Sequence, residues 1–194
     1  MGVLRKIVTQ LDRGFVNGPL ASPLVPRPIR RAVLRALGYP IDRTACIAEL
    51  CYIGSREVIF EADSFANVGC FFDGNTTIHV GAGAQIGMWS VLATATHEIS
   101  EHPGRRAGRD VALPIVIGEG TWLGARSTVL PGVHIQAGCV VGAGSLVIGD
   151  CDRDSLYVGS PARKVRALGG DRSYASGNLH PADTSGAVEV HLAT

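Results

Sequence analysis

Residues 117–152 read IGEGTWLGARSTVLPGVHIQAGCVVGAGSLVIGDCD, and this stretch repeats every six residues. One aliphatic side chain opens each repeat, at Ile117, Leu123, Val129, Ile135, Val141 and Val147. Glycine stands three places later in four of the repeats, at Gly120, Gly132, Gly138 and Gly144. A period of six matches neither a strand nor a helix, so each repeat is interpreted as a short strand followed by a corner. The stretch therefore predicts a β-solenoid with the aliphatic residues in its core and the glycines at its corners.

The same register continues towards the N-terminus, with two interruptions. It passes backwards through Val111, Leu92, Ile86, Val80, Phe72, Ala66 and Phe60. The step from Phe72 to Val80 is eight residues rather than six, and thirteen residues, 98–110, separate His97 from Val111. Their sequence, EISEHPGRRAGRD, is almost entirely polar or charged and predicts a loop extruded from one corner. Long loops in compact proteins are usually functional, so this one is a candidate part of a site.

Size and charge restrict the class of protein. A chain of 194 residues with 46% hydrophobic content can bury one core, so we expect a single solenoid domain with appendages. A formal charge of +1 and the lack of a dense basic run argue against nucleic acid as the main partner. No apolar stretch reaches eighteen residues, and charged residues interrupt the N-terminal MGVLRKIVTQLDRGF, so neither a membrane span nor a signal peptide is predicted. A cytoplasmic location is the resulting expectation.

The five cysteines predict structural roles. Cys70, Cys139 and Cys151 each stand four places after an aliphatic position, where the repeat requires a small residue. A buried free cysteine behaves as a small hydrophobe. Cys46 and Cys51 lack CxxC spacing, and the odd total fits a reducing compartment.

Both ends of the chain differ from the repeats. Residues 3–15 and 28–37 have helical apolar spacing, which predicts an N-terminal helical cap over residues 1–48. The cap carries a basic set, Arg27, Arg30, Arg31 and Arg35. We interpret this set as the solvated face of a helix that covers the open end of the solenoid, with an anionic ligand or membrane surface as the alternative. Residues 167–194, rich in Gly, Ala and Ser, predict a weakly packed tail.

Three motifs make the resemblance to a family specific. LATATHEIS precedes the polar loop, a Trp-Leu-Gly follows it, and VGSPARKVR closes the repeats. Over residues 50–166 the chain resembles the hexapeptide-repeat acyltransferases, in the branch of the maltose, galactoside and nodulation-sugar O-acetyltransferases. The resemblance implies an all-β, left-handed parallel β-helix of triangular section over residues 49–166, in which three hexads climb about 4.8 Å. It also implies transfer of an acetyl group from acetyl-CoA to a hydroxyl, in a homotrimer with sites between neighbouring subunits.

His97 matches the general base of that branch, which stands at the entry of the extruded loop. A general base is required because the acceptor hydroxyl must lose its proton as its oxygen attacks the thioester carbonyl. A neutral imidazole is available for this near pH 7. The alternative is that His97 only ends a strand.

Asn67 and Asp73 are the predicted acceptor-binding residues. Asn67 aligns with an asparagine that the family uses beside the histidine; the alternative is a corner asparagine with left-handed backbone. The family also has an acceptor-binding aspartate in the eight-residue step. An ungapped alignment puts Gly74 and Asn75 opposite it, and Asp73 is the candidate because it is the only acid there.

The resemblance also implies that coenzyme A is bound by Trp122, Ala125, Ala143, Arg163 and Arg166. Backbone groups at the two alanines match those that hold the pantetheine amides, and the Ala125 N–H matches the donor to the tetrahedral oxyanion. The two arginines match phosphate-binding positions, for which a guanidinium is suited. The tryptophan matches one that supports the active-site loop or lines the coenzyme groove. Small corner residues and exposed arginines without any ligand are the alternatives.

Two other functional classes remain open from the sequence. His79, His97 and His102 have spacings that resemble the three-histidine zinc site of γ-class carbonic anhydrases, built on the same kind of solenoid. A non-catalytic scaffold is the other alternative. The acyltransferase prediction requires no metal, and the identity of the acceptor is not predicted.

Overall fold

The computed structural model describes residues 2–169. An α-helix, α1 (Gly2–Asn17), is followed by a short 3-10 turn (Pro19–Ala21) and a second helix, α2 (Arg27–Ala36). Strands β1–β6 are Cys46–Ile47, Tyr52–Ile53, Val58–Phe60, Phe65–Ala66, Phe71–Phe72 and Ile78–Val80. Strands β7–β12 are Gln85–Ile86, Val91–Leu92, Ala95–Ile99, Ala107–Ala112, Ile115–Ile117 and Trp122–Leu123. Strands β13–β18 are Thr128–Val129, His134–Ile135, Val140–Val141, Leu146–Val147, Ser155–Gly159 and Ala162–Ala167.

The short strands stack into three walls of a solenoid. The first wall is a 7-stranded sheet in the order β1-β4-β7-β12-β15-β17-β18, the second has 5 strands, β2-β5-β8-β13-β16, and the third has 4, β3-β6-β11-β14. All neighbours in the walls are parallel except β17 and β18, which form an antiparallel hairpin. The chain passes from first to second to third wall in every coil, which confirms the predicted parallel β-helix of hexapeptide repeats with an N-terminal helical segment.

The core consists of the residues that the six-residue period selected. Ile117, Leu123, Val129, Ile135, Val141 and Val147 are each at most 1% exposed, as are the predicted Leu92, Ile86, Val80, Phe72, Ala66 and Phe60. Cys70, Cys139 and Cys151 are buried, and all five cysteines are free thiols. One core prediction was wrong. Val111 lies outside the solenoid, opposite Thr96 in an antiparallel pair, and the register passes instead from Leu92 to Ile117.

The corners between walls define three edges, and the first edge, between the first and second walls, carries an unusual side chain. The four predicted corner glycines all have positive φ, as the repeat requires. On the first edge this left-handed corner is occupied by Leu50, Trp89 and Arg126 in three of the coils, a conformation that costs a non-glycine residue roughly 1–2 kcal/mol. Trp89, with φ 62, is the largest of them. Its indole covers Gly69 in the coil below, where an added Cβ would lie 2.4 Å from the ring. Gly69 therefore makes room for Trp89.

All the irregular steps lie on the second edge, between the second and third walls. The step from Ile53 to Phe60 is seven residues, the next is eight, and the one above contains an extruded hairpin. This hairpin, here called the arm, consists of β9 and β10. The arm is wider than the predicted loop at residues 98–110, and neither of its strands contains a buried residue. Because the strands of the arm do not pack against the solenoid, the direction of the arm depends on the contacts at the point where it leaves the solenoid.

The N-terminal segment covers the first coil through arginines that bind backbone carbonyls. Arg30 is 3% exposed and donates to the carbonyls of Leu20, Ile47, Ser22 and Val25. Arg31 and Arg35, also on α2, donate to the Ala45 and Ile41 carbonyls. The prediction of a solvated basic face was therefore wrong for Arg30, because its guanidinium binds the Ile47 carbonyl of the first coil and three carbonyls of the segment before α2. Strand β1 begins the first coil at Cys46, slightly before the predicted boundary at residue 49.

The predicted tail, residues 167–194, lies almost entirely outside the described residues. Ala167 is the last residue of β18, and the Leu168 N–H donates to the Asp154 carbonyl over 2.6 Å. Within residues 2–169, no helix has the length and apolar character needed to cross a membrane.

Candidate functional site

The arm holds His97 opposite Asp110. The two residues are cross-strand partners in the antiparallel hairpin, and His97 Nδ1 lies 2.9 Å from Asp110 Oδ1. A carboxylate at this distance accepts the Nδ1–H and leaves Nε2 with its lone pair. In one subunit the His97 and Asp110 side chains are 52% and 91% exposed, so one chain alone does not enclose the pair. The geometry is that of a base oriented by a third group.

Asp110 is a candidate functional residue that sequence reasoning missed. The interpretation of residues 98–110 as a polar loop gave no reason to pair its last residue with His97. The signal lay in the central Pro103-Gly104, which suits a hairpin turn. The antiparallel register, which contains an irregularity between Ala107 and Asp110, then decides which acid faces the histidine.

Asp73 lies on the second edge, directly below the root of the arm. The root is the place where Thr94 leads into β9 and Leu113 follows β10. Its carboxylate accepts hydrogen bonds from the Thr94 N–H at 2.8 Å, the Ala95 N–H at 3.1 Å and the Thr94 hydroxyl. Burial alone would raise the pKa of the Asp73 carboxyl, but the bonds from Thr94 and Ala95 outweigh it, and the pKa lies below its ordinary value. The predicted acceptor-binding aspartate thus contacts the arm.

Asn67 lies on the first edge, across the second wall from His97. It follows β4, and its Oδ1 accepts the Val68 N–H at 2.8 Å. Its backbone is not among those with positive φ, so the alternative of a left-handed corner asparagine was wrong. No described residue accepts a hydrogen bond from the Asn67 Nδ2, so this amide nitrogen is available to a ligand.

Ala125 and Ala143 lie above Asn67 on the same edge, two places after the inward residues of β12 and β15. Among the described residues, neither alanine N–H has a hydrogen-bond acceptor, whereas the Ala125 carbonyl accepts from the Gly144 N–H. Two unpaired N–H groups on adjacent coils suit a ligand with carbonyl oxygens that runs along the edge.

Trp122 and the two predicted arginines lie beside this edge. Trp122 points outward from the first wall between Gln85 and Val140 and is 56% exposed. Arg163 and Arg166 are exposed on β18, where Arg163 is the partner of Val158 at the C-terminal end of the first edge. The Arg163 guanidinium bonds only its neighbour, the Ala162 carbonyl, at 3.1 Å. These residues are therefore grouped with Ala125 and Ala143, not with His97.

The second wall separates the two groups of site residues within one chain. The first edge carries Asn67, Ala125 and Ala143, and the second carries Asp73 and the root of the arm with His97. The outer face of the wall between them is mainly apolar, with Tyr52 stacked on Phe71 at a ring distance of 4.6 Å. Val91, Thr128 and Leu146 continue that face upward.

The three histidines of the zinc alternative do not converge within one chain. His79 lies on the third wall, with Nε2 2.9 Å from Glu61 Oε1, and His102 lies near the tip of the arm, where its Nδ1 accepts the Gly104 N–H. No three His, Cys, Asp or Glu side chains in residues 2–169 are grouped so that they could hold a metal ion.

The buried thiols do not offer a nucleophile at either edge. Burial raises the pKa of Cys151 to about 12 and also raises that of Cys139. Cys51 and Cys70 lie on adjacent coils, and the hydrogen bond between them, together with burial, raises the pKa of Cys51. The same hydrogen bond lowers the pKa of Cys70, but its thiol is fully buried, donates to the Gly87 carbonyl and is out of reach of a substrate. A thiol with a raised pKa is a poor nucleophile because the thiolate is the reactive form.

Comparison with known proteins identifies the repeat. Residues 114–149 match the model of the bacterial transferase hexapeptide, six repeats. Residues 114–149 of this chain therefore form a hexapeptide-repeat segment. A Schizosaccharomyces pombe relative is 39% identical over 111 residues, 57% of this chain and 53% of that one. A galactoside O-acetyltransferase of Lactococcus lactis is 34% identical over 130 residues, 63% of this chain and 62% of the relative.

The solved structures extend this likeness to most of the hexapeptide-repeat chain. A Vibrio cholerae hexapeptide-repeat acetyltransferase, solved with acetyl coenzyme A, is 28% identical with a TM-score of 0.73, covering 84% of this chain and 89% of that one. The predicted resemblance to hexapeptide-repeat acyltransferases and their maltose and galactoside branch is confirmed. This chain spans about half the length of the first curated relatives that it matches.

Proposed function

We propose that this protein is an acetyl-CoA-dependent O-acetyltransferase whose acceptor is a hydroxyl of a sugar or a sugar-bearing metabolite. The observation that carries the proposal is the hydrogen-bonded pair of His97 and Asp110 on an exposed arm of a hexapeptide-repeat solenoid. Relatives include a galactoside O-acetyltransferase, and a structural neighbour was solved with acetyl coenzyme A. No metal takes part in the proposed reaction.

The proposed chemistry is a single direct transfer. The acceptor oxygen attacks the thioester carbonyl while its proton moves to His97 Nε2, and Asp110 stabilises the imidazolium through Nδ1–H. The tetrahedral intermediate then expels the coenzyme A sulfur, which takes the proton from His97. Atoms and charges balance without a covalent enzyme intermediate. Four of the five thiols are buried, which fits this route better than an acyl-cysteine.

The donor is proposed to lie along the first edge. The free N–H groups of Ala125 and Ala143 would bind carbonyl oxygens of the pantetheine arm and the thioester, with the Ala125 N–H facing the developing oxyanion. Trp122 would cover one side of this groove. Arg163 and Arg166, at the C-terminal end, would meet the phosphates of the nucleotide.

A homotrimer is proposed because one chain places the donor groove and the base on opposite edges of the second wall. If three second walls face a shared three-fold axis, the first edge of each subunit comes beside the second edge of its neighbour. The apolar face with Tyr52 and Phe71 would then be covered. Asn67 of one subunit would lie near His97 of the next, as an acceptor site requires.

The first test measures donor binding and turnover. Calorimetry is expected to detect acetyl-CoA binding without added metal, and a free-thiol assay across sugars and glycosides is expected to find acceptors that release coenzyme A. Initial-rate plots should intersect, because both substrates are bound before transfer. Parallel lines would instead favour a covalent enzyme, and purified protein that binds no acetyl-CoA would rule out the donor.

A second test asks whether each site is shared between chains. Trimers made only of His97→Ala subunits, or only of Ala125→Trp subunits, are expected to be inactive. If the two halves of a site come from neighbouring chains, a random equal mixture should recover about one quarter of the wild-type sites. Differently tagged subunits allow the mixed trimers to be isolated. Mixed trimers without activity would place His97 and the Ala125 groove of a site on one chain.

A further inference from the structure

The root of the arm is joined to the coil below by one carboxylate. Asp73 follows β5 in the eight-residue step, and Thr94 is the last residue before β9. Asp73 Oδ2 accepts the N–H groups of Thr94 and Ala95, and Oδ1 accepts the Thr94 hydroxyl. Asn75 adds two weaker contacts of 3.4 Å, from its N–H to Oδ1 and from its Nδ2 to Oδ2.

These contacts use the hydrogen-bonding capacity of the Asp73 carboxylate. A carboxylate has about four lone-pair sites, and five donor contacts already surround this one. A substrate hydroxyl could donate to this carboxylate only by displacing one of these contacts, and the three shorter ones come from Thr94 and Ala95. The arrangement is therefore suited to holding the arm and not to binding a sugar.

Thr94 links both ends of the arm to the same place. It is fully buried, and its carbonyl accepts the Leu113 N–H at 2.9 Å, where the arm returns to the solenoid. Its Oγ1 also accepts the Thr76 N–H at 3.3 Å, within the eight-residue step. The exposed strands beyond it have no buried residue, so these bonds fix the angle at which the arm leaves the solenoid.

The position of His97 depends on that angle. His97 is three residues beyond Thr94. At a strand rise of about 3.3 Å per residue, His97 therefore lies roughly 10 Å from the root. A tilt of roughly 10° at the root would move the imidazole by nearly 2 Å, and a misplacement of about 1 Å can cost about 10²-fold in rate.

We infer that Asp73 is a positioning residue for acyl transfer, which fixes the root of the arm through Thr94 and so places His97, and that it does not bind the acceptor. This inference rests on the proposed function of His97. It also gives a role to the eight-residue step, whose extra residues bring Asp73 and Thr76 against Thr94. The interaction belongs to one chain and does not require the trimer.

The variants Asp73→Asn and Thr94→Val each remove part of the root. Both are expected to lower kcat by about 10- to 100-fold, while the KM for the acceptor and the calorimetric affinity for acetyl-CoA stay within about twofold. The double variant should be little worse than the more severe single variant, since both act on one unit. Thr94→Ser, which keeps the hydroxyl, should restore most of the activity.

Hydrogen exchange supplies a readout that is independent of turnover. Amides at the base of the arm, including that of Leu113, should exchange faster in Asp73→Asn and Thr94→Val than in the wild type. Asp150→Asn is the matched control, because Asp150 also lies at the second edge but binds the His134 N–H, away from the arm. It should change neither the exchange of the arm nor kcat.

Binding of the acceptor by Asp73 would give a different set of results. If Asp73 binds the acceptor, Asp73→Asn will raise the acceptor KM, while Thr94→Val and the exchange rates of the arm stay near wild type. Unchanged kcat in Asp73→Asn would also overturn the inference. A wild-type protein that transfers no acetyl group would defeat the proposed function instead, and the exchange rates would still show whether Asp73 holds the arm.

Discussion

His97→Ala is expected to lower turnover by about 10²–10⁴-fold, because no other described group lies beside Asp110 to take the acceptor proton. The affinity for acetyl-CoA should change little, since the proposed donor groove lies on the first edge and not on the arm. Single-turnover rates with saturating acceptor, together with calorimetry of acetyl-CoA, measure the two effects separately.

The control for this prediction is Asp110→Asn. It keeps the shape of the side chain but removes the charge that stabilises the imidazolium, so a smaller loss of kcat than in His97→Ala is expected. Glu98→Gln changes a neighbouring acid that pairs with Arg109 instead of the histidine, and it should leave kcat near wild type. His97→Ala with near-wild-type turnover would remove His97 from the mechanism.

Arg30→Ala is expected to destabilise the protein by about 3–5 kcal/mol, because roughly 1–3 kcal/mol is lost for each buried carbonyl left without a donor. The Leu20 and Ile47 carbonyls are buried at this contact, and those of Ser22 and Val25 are partly buried. Burial lowers the pKa of the Arg30 guanidinium, while the nearby Cys51 and Glu49 act in the opposite direction. Urea unfolding followed by circular dichroism measures the loss.

Two variants of the same helix serve as controls for Arg30. Arg31→Ala removes a single bond, to the Ala45 carbonyl, and should cost no more than about 1 kcal/mol. Arg30→Lys keeps the charge, but an ammonium lacks the planar fork that reaches several carbonyls, so much of the loss should remain. Equal stabilities of Arg30→Ala and Arg31→Ala would show that the buried arginine does not hold the cap to the first coil.

The core residues could be predicted because each repeat contributes one aliphatic residue at a fixed position. An inward position every six residues is fixed by the geometry of strand and corner, so the residues from Phe60 to Val147 could be assigned from spacing alone. Val111 was assigned to the core wrongly because aliphatic residues also occur in an exposed hairpin. The local sequence does not distinguish a Val111 that pairs with Thr96 in the arm from a Val111 that packs in the core.

The candidate site could be predicted only in part. His97 was found because a motif precedes the arm, whereas Asp110 could not be found because cross-strand register depends on how the hairpin closes. The roles of Asp73 and Arg30 were predicted differently for a similar reason. An acid beside an irregular step and an arginine on a basic helix both suggest solvent or a ligand. Only the tertiary structure shows the donors and carbonyls that they bind.

The sequence by itself determined the solenoid, its core and the existence of an extruded segment, because these follow from a period that each repeat carries locally. The tertiary structure decided which distant residues contact one another: Asp73 with Thr94, Trp89 with Gly69, and the Ile47 carbonyl of the first coil with Arg30. It also put His97 and Ala125 on opposite edges of one wall. Such pairings depend on the stacking of strands about 4.8 Å apart and on the lengths of the steps between them, which no single repeat contains.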